Sequence, residues 1–174
     1  MTEQALPARM RAIGQHPQFP AIGIALVSVL IIAGAWAFQV FGGLPPCPLC
    51  LEQRVPWYLL IAVGFGLIGA QRLSAPRAVV TGLFALAALL ALWSAGQGLY
   101  HAGIEYTWWK GPPTCTAGGG GVDLNGGLDS ISSAEIVMCD VAAWTLFGVS
   151  LAGFNVLFSL LVLALAGLGL RGRR

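Results

Sequence analysis

A chain of 174 residues is long enough for one domain, yet 57% of its side chains are hydrophobic and only 9% are charged. That composition excludes an ordinary soluble globular protein. The formal net charge is only +2, and no nucleic-acid partner is expected.

Lipid-spanning helices each need about 20 predominantly apolar residues. Four runs meet or nearly meet that length, about 20–41, 49–70, 78–99 and 142–170. The expected fold is therefore an all-α integral membrane protein, a four-transmembrane-helix bundle forming a single domain over 1–174. Residues 1–19 read as a short polar arm in which His16 is simply solvated. Arg9 and Arg11 ahead of an apolar stretch, with Ala35-Trp36-Ala37 beyond it, resemble a cleavable signal. The apolar run continues through Phe41, longer than a usual signal core, so a retained first span is expected. Gly34 and other small residues in that span suit close helix packing.

The next stretch holds the most chemistry. Cys47-Pro48-Leu49-Cys50 stands against the start of the second apolar run, and Arg54 follows four residues after Cys50. On a helix, residues four apart share a face, which puts Arg54 one turn from the Cys50 sulfur. A helix N-terminus and a nearby guanidinium both favour the thiolate, the reactive form of cysteine. From Pro56 to Ala70 the run spans roughly 22 Å, too short for a hydrocarbon core of about 30 Å. The helix has to recruit the turns before Pro56, placing Cys50 and Arg54 at the membrane edge or just inside it. An arginine there is either a functional group or a side chain snorkelling to the headgroups. Trp57 and Tyr58 read as interfacial aromatics.

The short connection over 71–77 makes spans two and three antiparallel neighbours. Span three closes on Gly98-Leu99-Tyr100-His101, so His101 emerges on the side of the cysteines, as an interfacial hydrogen-bonder or as part of the Cys50 site. Residues 102–141 form the only sizeable extramembrane segment. Tyr106, Trp108 and Trp109 suit the headgroup layer. The glycine runs at 118–121 and 126–127 make a flexible linker, without the strand and helix that a phosphate-binding loop needs. Ser132 and Glu135 fit a capping box for a short surface helix ending at Met138. A loop of this kind between Cys115 and Cys139 can close a disulfide and also open it. In span four, Trp144, Gly148, Ser150, Gly153 and Asn155 read as packing and interhelical hydrogen bonding.

Basic residues set the orientation. Arg9, Arg11, Arg72, Arg77, Arg171, Arg173 and Arg174 fall on one side of the bundle, and Arg54 and Lys110 on the other. The positive-inside rule then puts both termini in the cytoplasm and both cysteine-bearing loops outside. In a bacterium that outer compartment is the periplasm, where disulfides persist.

The four cysteines allow a zinc site, two structural disulfides, or two redox-active pairs. The second pair is not Cys-x-x-Cys and the compartment oxidises free thiols, so no metal is expected. Leu51 after Cys50 excludes a c-type haem signature. Two redox pairs suit stepwise thiol–disulfide exchange, with electrons entering at the loop and leaving near the bilayer to a lipid-soluble acceptor, for which quinone is the obvious candidate.

Four spans, Cys-x-x-Cys-x-x-x-Arg opening the second, and a cysteine pair before the fourth resemble the DsbB (disulfide bond formation protein B) family. The stretch Cys139-Asp140 with Trp144, Phe147-Gly148 and Ser150-Leu151-Ala152 is similar to that family's last-helix entry. The resemblance implies a disulfide-generating thiol:quinone oxidoreductase of the bacterial inner membrane. Its partners would be a periplasmic thioredoxin-fold, DsbA-like protein, the lipid bilayer and membrane quinone, ubiquinone before menaquinone. It also implies catalytic roles for Cys47, Cys50, Cys115 and Cys139. Cys115 would be attacked by the partner and Cys139 paired with it. Cys47 would exchange with Cys139, Cys50 would face the quinone, and Arg54 and His101 would bind the cofactor. The alternatives are a vitamin K epoxide reductase-like enzyme, whose loop pair precedes its Cys-x-x-Cys in the chain, a metal-binding membrane module using all four cysteines, and a scaffold in which the cysteines are dispensable.

Overall fold

The computed structural model describes residues 18–112, 115 and 138–172. Four helices are long and apolar enough to cross a membrane: α1 (Phe19–Val40), α2 (Pro48–Arg72), α3 (Arg77–Glu105) and α4 (Leu151–Arg171). The shortest, with 21 residues, reaches about 31 Å at 1.5 Å per residue, enough for the hydrocarbon core. They pack as a ring, α1 on α2, α2 on α3, α3 on α4 and α4 back on α1. One apolar core fills the ring, with Ile24, Leu60, Leu67, Phe84, Val162 and Ala166 at its centre. The expected four-helix membrane bundle is what the chain forms.

Close packing of α1 does not fall where small residues first suggest. A Cβ on Gly34 would meet nothing within 4 Å, whereas one on Gly64 of α2 would lie 2.8 Å from the Ala25 Cα. Gly64 is thus the position that lets α1 and α2 backbones approach. Trp57 also departs from the interfacial expectation. It is 1% exposed, and its indole N–H donates to Asn155 Oδ1 at 2.6 Å. Ser94 Oγ donates to the same oxygen at 3.3 Å, Asn155 Nδ2 donates to the Ser94 carbonyl at 3.2 Å, and Ser159 Oγ donates to Ser94 Oγ at 2.9 Å. Three helices are tied by this buried polar cluster, the interhelical role expected for Asn155. Asn155→Ala strands the Trp57 N–H, so unfolding in detergent should become easier by about 1–2 kcal/mol; an unmoved transition would show that the cluster contributes nothing.

The last span begins later than its hydropathy suggests. Residues 142–150 are not helical. Thr145–Leu146 (β1) and Val149–Ser150 (β2) form a minimal antiparallel hairpin. Its turn residues Phe147 and Gly148 have φ of 52° and 78°, the left-handed pair a type I′ turn demands. Phe147 at the tip is 95% exposed. Ser150 then caps α4, its hydroxyl accepting from Gly153 N at 3.1 Å. Tyr106 holds the hairpin to the end of α3, donating to the Gly148 carbonyl at 2.8 Å. The third span is longer than expected, since α3 runs on to Glu105. The glycine runs, the surface helix over 134–138 and the arginines at both chain ends lie outside the described residues, apart from Met138 and Arg171.

Candidate functional site

The Cys-Pro-Leu-Cys sequence builds a helix start. Cys47 is extended, with φ −71° and ψ 164°, and serves as N-cap of α2. Pro48 takes the first helical position, where a missing N–H costs nothing. Cys47 Sγ accepts from Cys50 N at 3.1 Å, as a serine or aspartate oxygen does at an ordinary N-cap. Both sulfurs therefore sit at the positive end of the α2 dipole. Cys47 precedes the spanning segment, and its thiol is pushed well above the ordinary range by the hydrogen bond with the Cys50 side chain and then by burial. Cys47 accordingly keeps its proton at neutral pH.

The polar neighbour of the Cys47 sulfur is on α3. His101 is buried, and its Nε2 stands 3.7 Å from Cys47 Sγ. Its Nδ1 lies 2.8 Å from the Gln53 side-chain amide. Glu105, one turn along α3, brings Oε1 to 3.8 Å from His101 Nε2. The structure thus places His101 beside Cys47.

Cys115 and Cys139 form a disulfide with a Cα–Cα distance of 5.1 Å, inside the usual range for such bridges. It packs directly on Cys47, with Cys50 and Leu49 against the same cluster. All four cysteines thus meet in one group, Cys50 at its partly buried edge, although the loop pair follows the helix pair by over sixty residues. The loop pair is oxidised and the helix pair is free.

A cavity of about 500 Å³ adjoins this group, lined by Cys47, Cys50, Arg54 and His101 and by apolar side chains of α1 and α4. Such a volume falls in the range of small-molecule sites. Arg54 is anchored and does not simply snorkel. Its guanidinium donates to Gln39 Oε1 at 2.8 Å and to the Ala35 carbonyl at 3.4 Å. It also lies over the Trp36 ring, 5.3 Å from the centroid. Trp36 in turn donates to Tyr58 Oη at 3.0 Å. Gly34 lines the cavity, which accounts for the empty space beside it.

Every residue singled out from the sequence as catalytic or cofactor-binding is in this group or on this cavity. Sequence reasoning missed Glu105, Gln53 and Gln39. Glu105 has a signal, its i+4 spacing from His101, but a span over 78–99 leaves it outside the helix. Gln39 has none, because the contact that orients Arg54 crosses from one helix to another.

Fold and site define a class, a multi-pass membrane protein that brings a dithiol and a disulfide into contact beside an apolar cavity. The family model for disulfide bond formation protein DsbB matches residues 17–169, and the chain belongs to that family. Disulfide bond formation protein B 1 of Pseudomonas fluorescens is 30% identical over 166 residues, 90% of each chain. Disulfide bond formation protein B of Verminephrobacter eiseniae is 29% identical over 163 residues, 87% of this chain and 86% of its own. The corresponding protein of Burkholderia pseudomallei reaches 40% identity over 78 residues, 44% of this chain and 45% of its own. No solved structure matches significantly. Family membership makes the chain a disulfide-forming oxidoreductase.

Proposed function

We propose that the protein reoxidises a thioredoxin-fold, DsbA-like partner and passes the two electrons to membrane quinone. Convergence of all four cysteines beside one cavity is the observation that carries this reading. The partner's thiolate attacks Cys115, releasing Cys139 and forming a mixed disulfide. The partner's second thiol resolves it, leaving the partner oxidised and Cys115 and Cys139 reduced. Cys139 then attacks the Cys47 sulfur of a Cys47–Cys50 disulfide and frees Cys50. Attack of Cys115 on Cys139 restores the loop disulfide and leaves Cys47 and Cys50 as the reduced pair. That state, with the loop oxidised and the helix pair free, corresponds to the described structure.

In the last step the pair gives two electrons and two protons to quinone and regains its disulfide. Quinone supplies a two-electron acceptor that dissolves in the bilayer. Arg54 holds one of its oxygens, while His101 receives the proton of Cys47. Ubiquinone is favoured over menaquinone, as in the expectation from resemblance. The basic side of the bundle faces the cytoplasm and the cysteine side the periplasm of a bacterial inner membrane, with the whole chain acting as one domain.

A trapped intermediate tests the entry step. Cys139→Ser leaves Cys115 as a lone thiol that can attack the disulfide of an oxidised partner, with no Cys139 thiol beside it to displace that partner, so with oxidised partner supplied a reduction-sensitive adduct should accumulate on non-reducing gels of membranes. If the adduct instead forms only in Cys115→Ser, the roles of the two loop cysteines are exchanged.

A further inference from the structure

The helix pair has a second chemistry available to it. The sulfurs of Cys47 and Cys50 and a ring nitrogen of His101 all lie within 4.8 Å of one another. In a tetrahedral zinc site, bond lengths near 2.3 Å to sulfur and 2.0 Å to nitrogen set the ligand atoms roughly 3.5–3.8 Å apart. The Cys47–His101 edge is already 3.7 Å, and the widest edge has to close by only about 1 Å.

Two further features point to a cation. Glu105 Oε1 is 3.8 Å from His101 Nε2, and the Glu105 side chain is 5% exposed. Its other oxygen, Oε2, is buried without a hydrogen-bond partner among the described residues. A buried carboxylate oxygen left bare is costly, and a cation relieves that cost. The second feature is Gln53, 2.8 Å from His101 Nδ1. The Gln53 amide nitrogen faces Nδ1, and a turn of the amide brings its oxygen there to accept from Nδ1–H and frees the Nε2 lone pair, as outer partners of metal-binding histidines do.

We infer that the reduced Cys47–Cys50 pair, with His101 and Glu105, is a binding site for a thiophilic divalent cation such as Zn²⁺. This set differs from the four-cysteine site weighed on sequence, because Cys115 and Cys139 are consumed by their disulfide. Binding replaces two thiol protons with one cation and moves no electrons, so it tightens as pH rises. Reoxidation reverses it. Two electrons pass from the thiolates to quinone, which takes up two protons from water, the Cys47–Cys50 bond forms and the cation leaves. Bound Zn²⁺ therefore acts as a brake on the reduced enzyme. That consequence rests on the relay proposed above, whereas binding itself does not.

The test uses the full chain in detergent, carrying Cys115→Ser and Cys139→Ser so that reduction frees only the helix pair. Zn²⁺ is titrated against a chromophoric chelator, and Co²⁺ serves as a spectroscopic probe. The reduced protein should bind one Zn²⁺ per chain and give a tetrahedral Co²⁺ spectrum with thiolate charge transfer, and the oxidised protein should bind none. Gln53→Ala should weaken binding by about 10- to 100-fold, with His101→Ala and Glu105→Gln weakening it as well. No binding by reduced protein, or unchanged affinity in both His101→Ala and Glu105→Gln, overturns the site. Quinone reduction by the unsubstituted enzyme, with and without Zn²⁺, separates the two readings. Binding without any quinone activity sinks the relay alone, and activity indifferent to bound Zn²⁺ sinks the brake.

Discussion

Cys50→Ser abolishes turnover while leaving a single round of partner oxidation intact. The loop disulfide of Cys115 and Cys139 is separate from the helix pair, so it can still accept two electrons once from a reduced partner. Without the second sulfur at the start of α2, no Cys47–Cys50 disulfide exists to take those electrons onward. Oxidised partner should reach at most one equivalent per enzyme and then stop, with no quinone reduced. Cys47→Ser should behave in the same way. Cys115→Ser and Cys139→Ser should give no resolved oxidised partner at all, since the entry disulfide is gone. Stoichiometric thiol trapping of the partner, followed beside quinone absorbance, reads both quantities. Several equivalents oxidised by Cys50→Ser in the presence of quinone would show that electrons leave by a route not involving the helix pair.

The parts of this molecule that sequence reveals are those written locally along the chain. Span existence follows from the length of apolar runs, and Cys47, Pro48, Cys50 and Arg54 lie within one short helix start. Both survive in the structure almost unchanged. Boundaries were harder, because residues 142–150 are apolar enough to extend a span but fold as a hairpin. The sign that they do so is backbone geometry at Phe147 and Gly148, which a hydropathy window does not see. Trp57 and Gly34 show a second kind of ambiguity. A tryptophan near a helix end suits either headgroups or a buried acceptor, and Asn155, almost a hundred residues away, decides the matter. A glycine in a span suits either a close contact or the wall of a cavity, and only the facing helix distinguishes them. Glu105 combines both problems, a misplaced helix end and a partner, His101, whose importance depends on Cys47 from another helix. The convergence of the loop disulfide on Cys47 is likewise long-range, and spacing along the chain carries no trace of it.

Arg54→Ala should lower quinone use by about 10- to 100-fold. Hydrogen bonds to charged groups are worth roughly 1.5–3 kcal/mol, and each 1.4 kcal/mol is about a tenfold change. Arg54 lines the cavity with Cys50, and in the proposed relay its guanidinium holds an oxygen of the quinone that takes electrons from that sulfur. Gln39 Oε1 at 2.8 Å, the Ala35 carbonyl at 3.4 Å and the Trp36 ring fix its direction before any ligand arrives. Holding the donor in place in advance spares the ordering cost on binding. Arg54→Lys should recover only part of the loss, since lysine keeps the charge but not the planar fork that spans two acceptors and stacks on an indole. Single-turnover transfer between the partner and Cys115–Cys139 should stay near its original rate, because that exchange occurs at the loop disulfide. A general loss of structure would slow both reactions, so quinone-reduction kinetics are read beside partner oxidation on the same preparation. Quinone kinetics unchanged in Arg54→Ala would leave this arginine as an anchor between α1 and α2, and would remove it from the acceptor site.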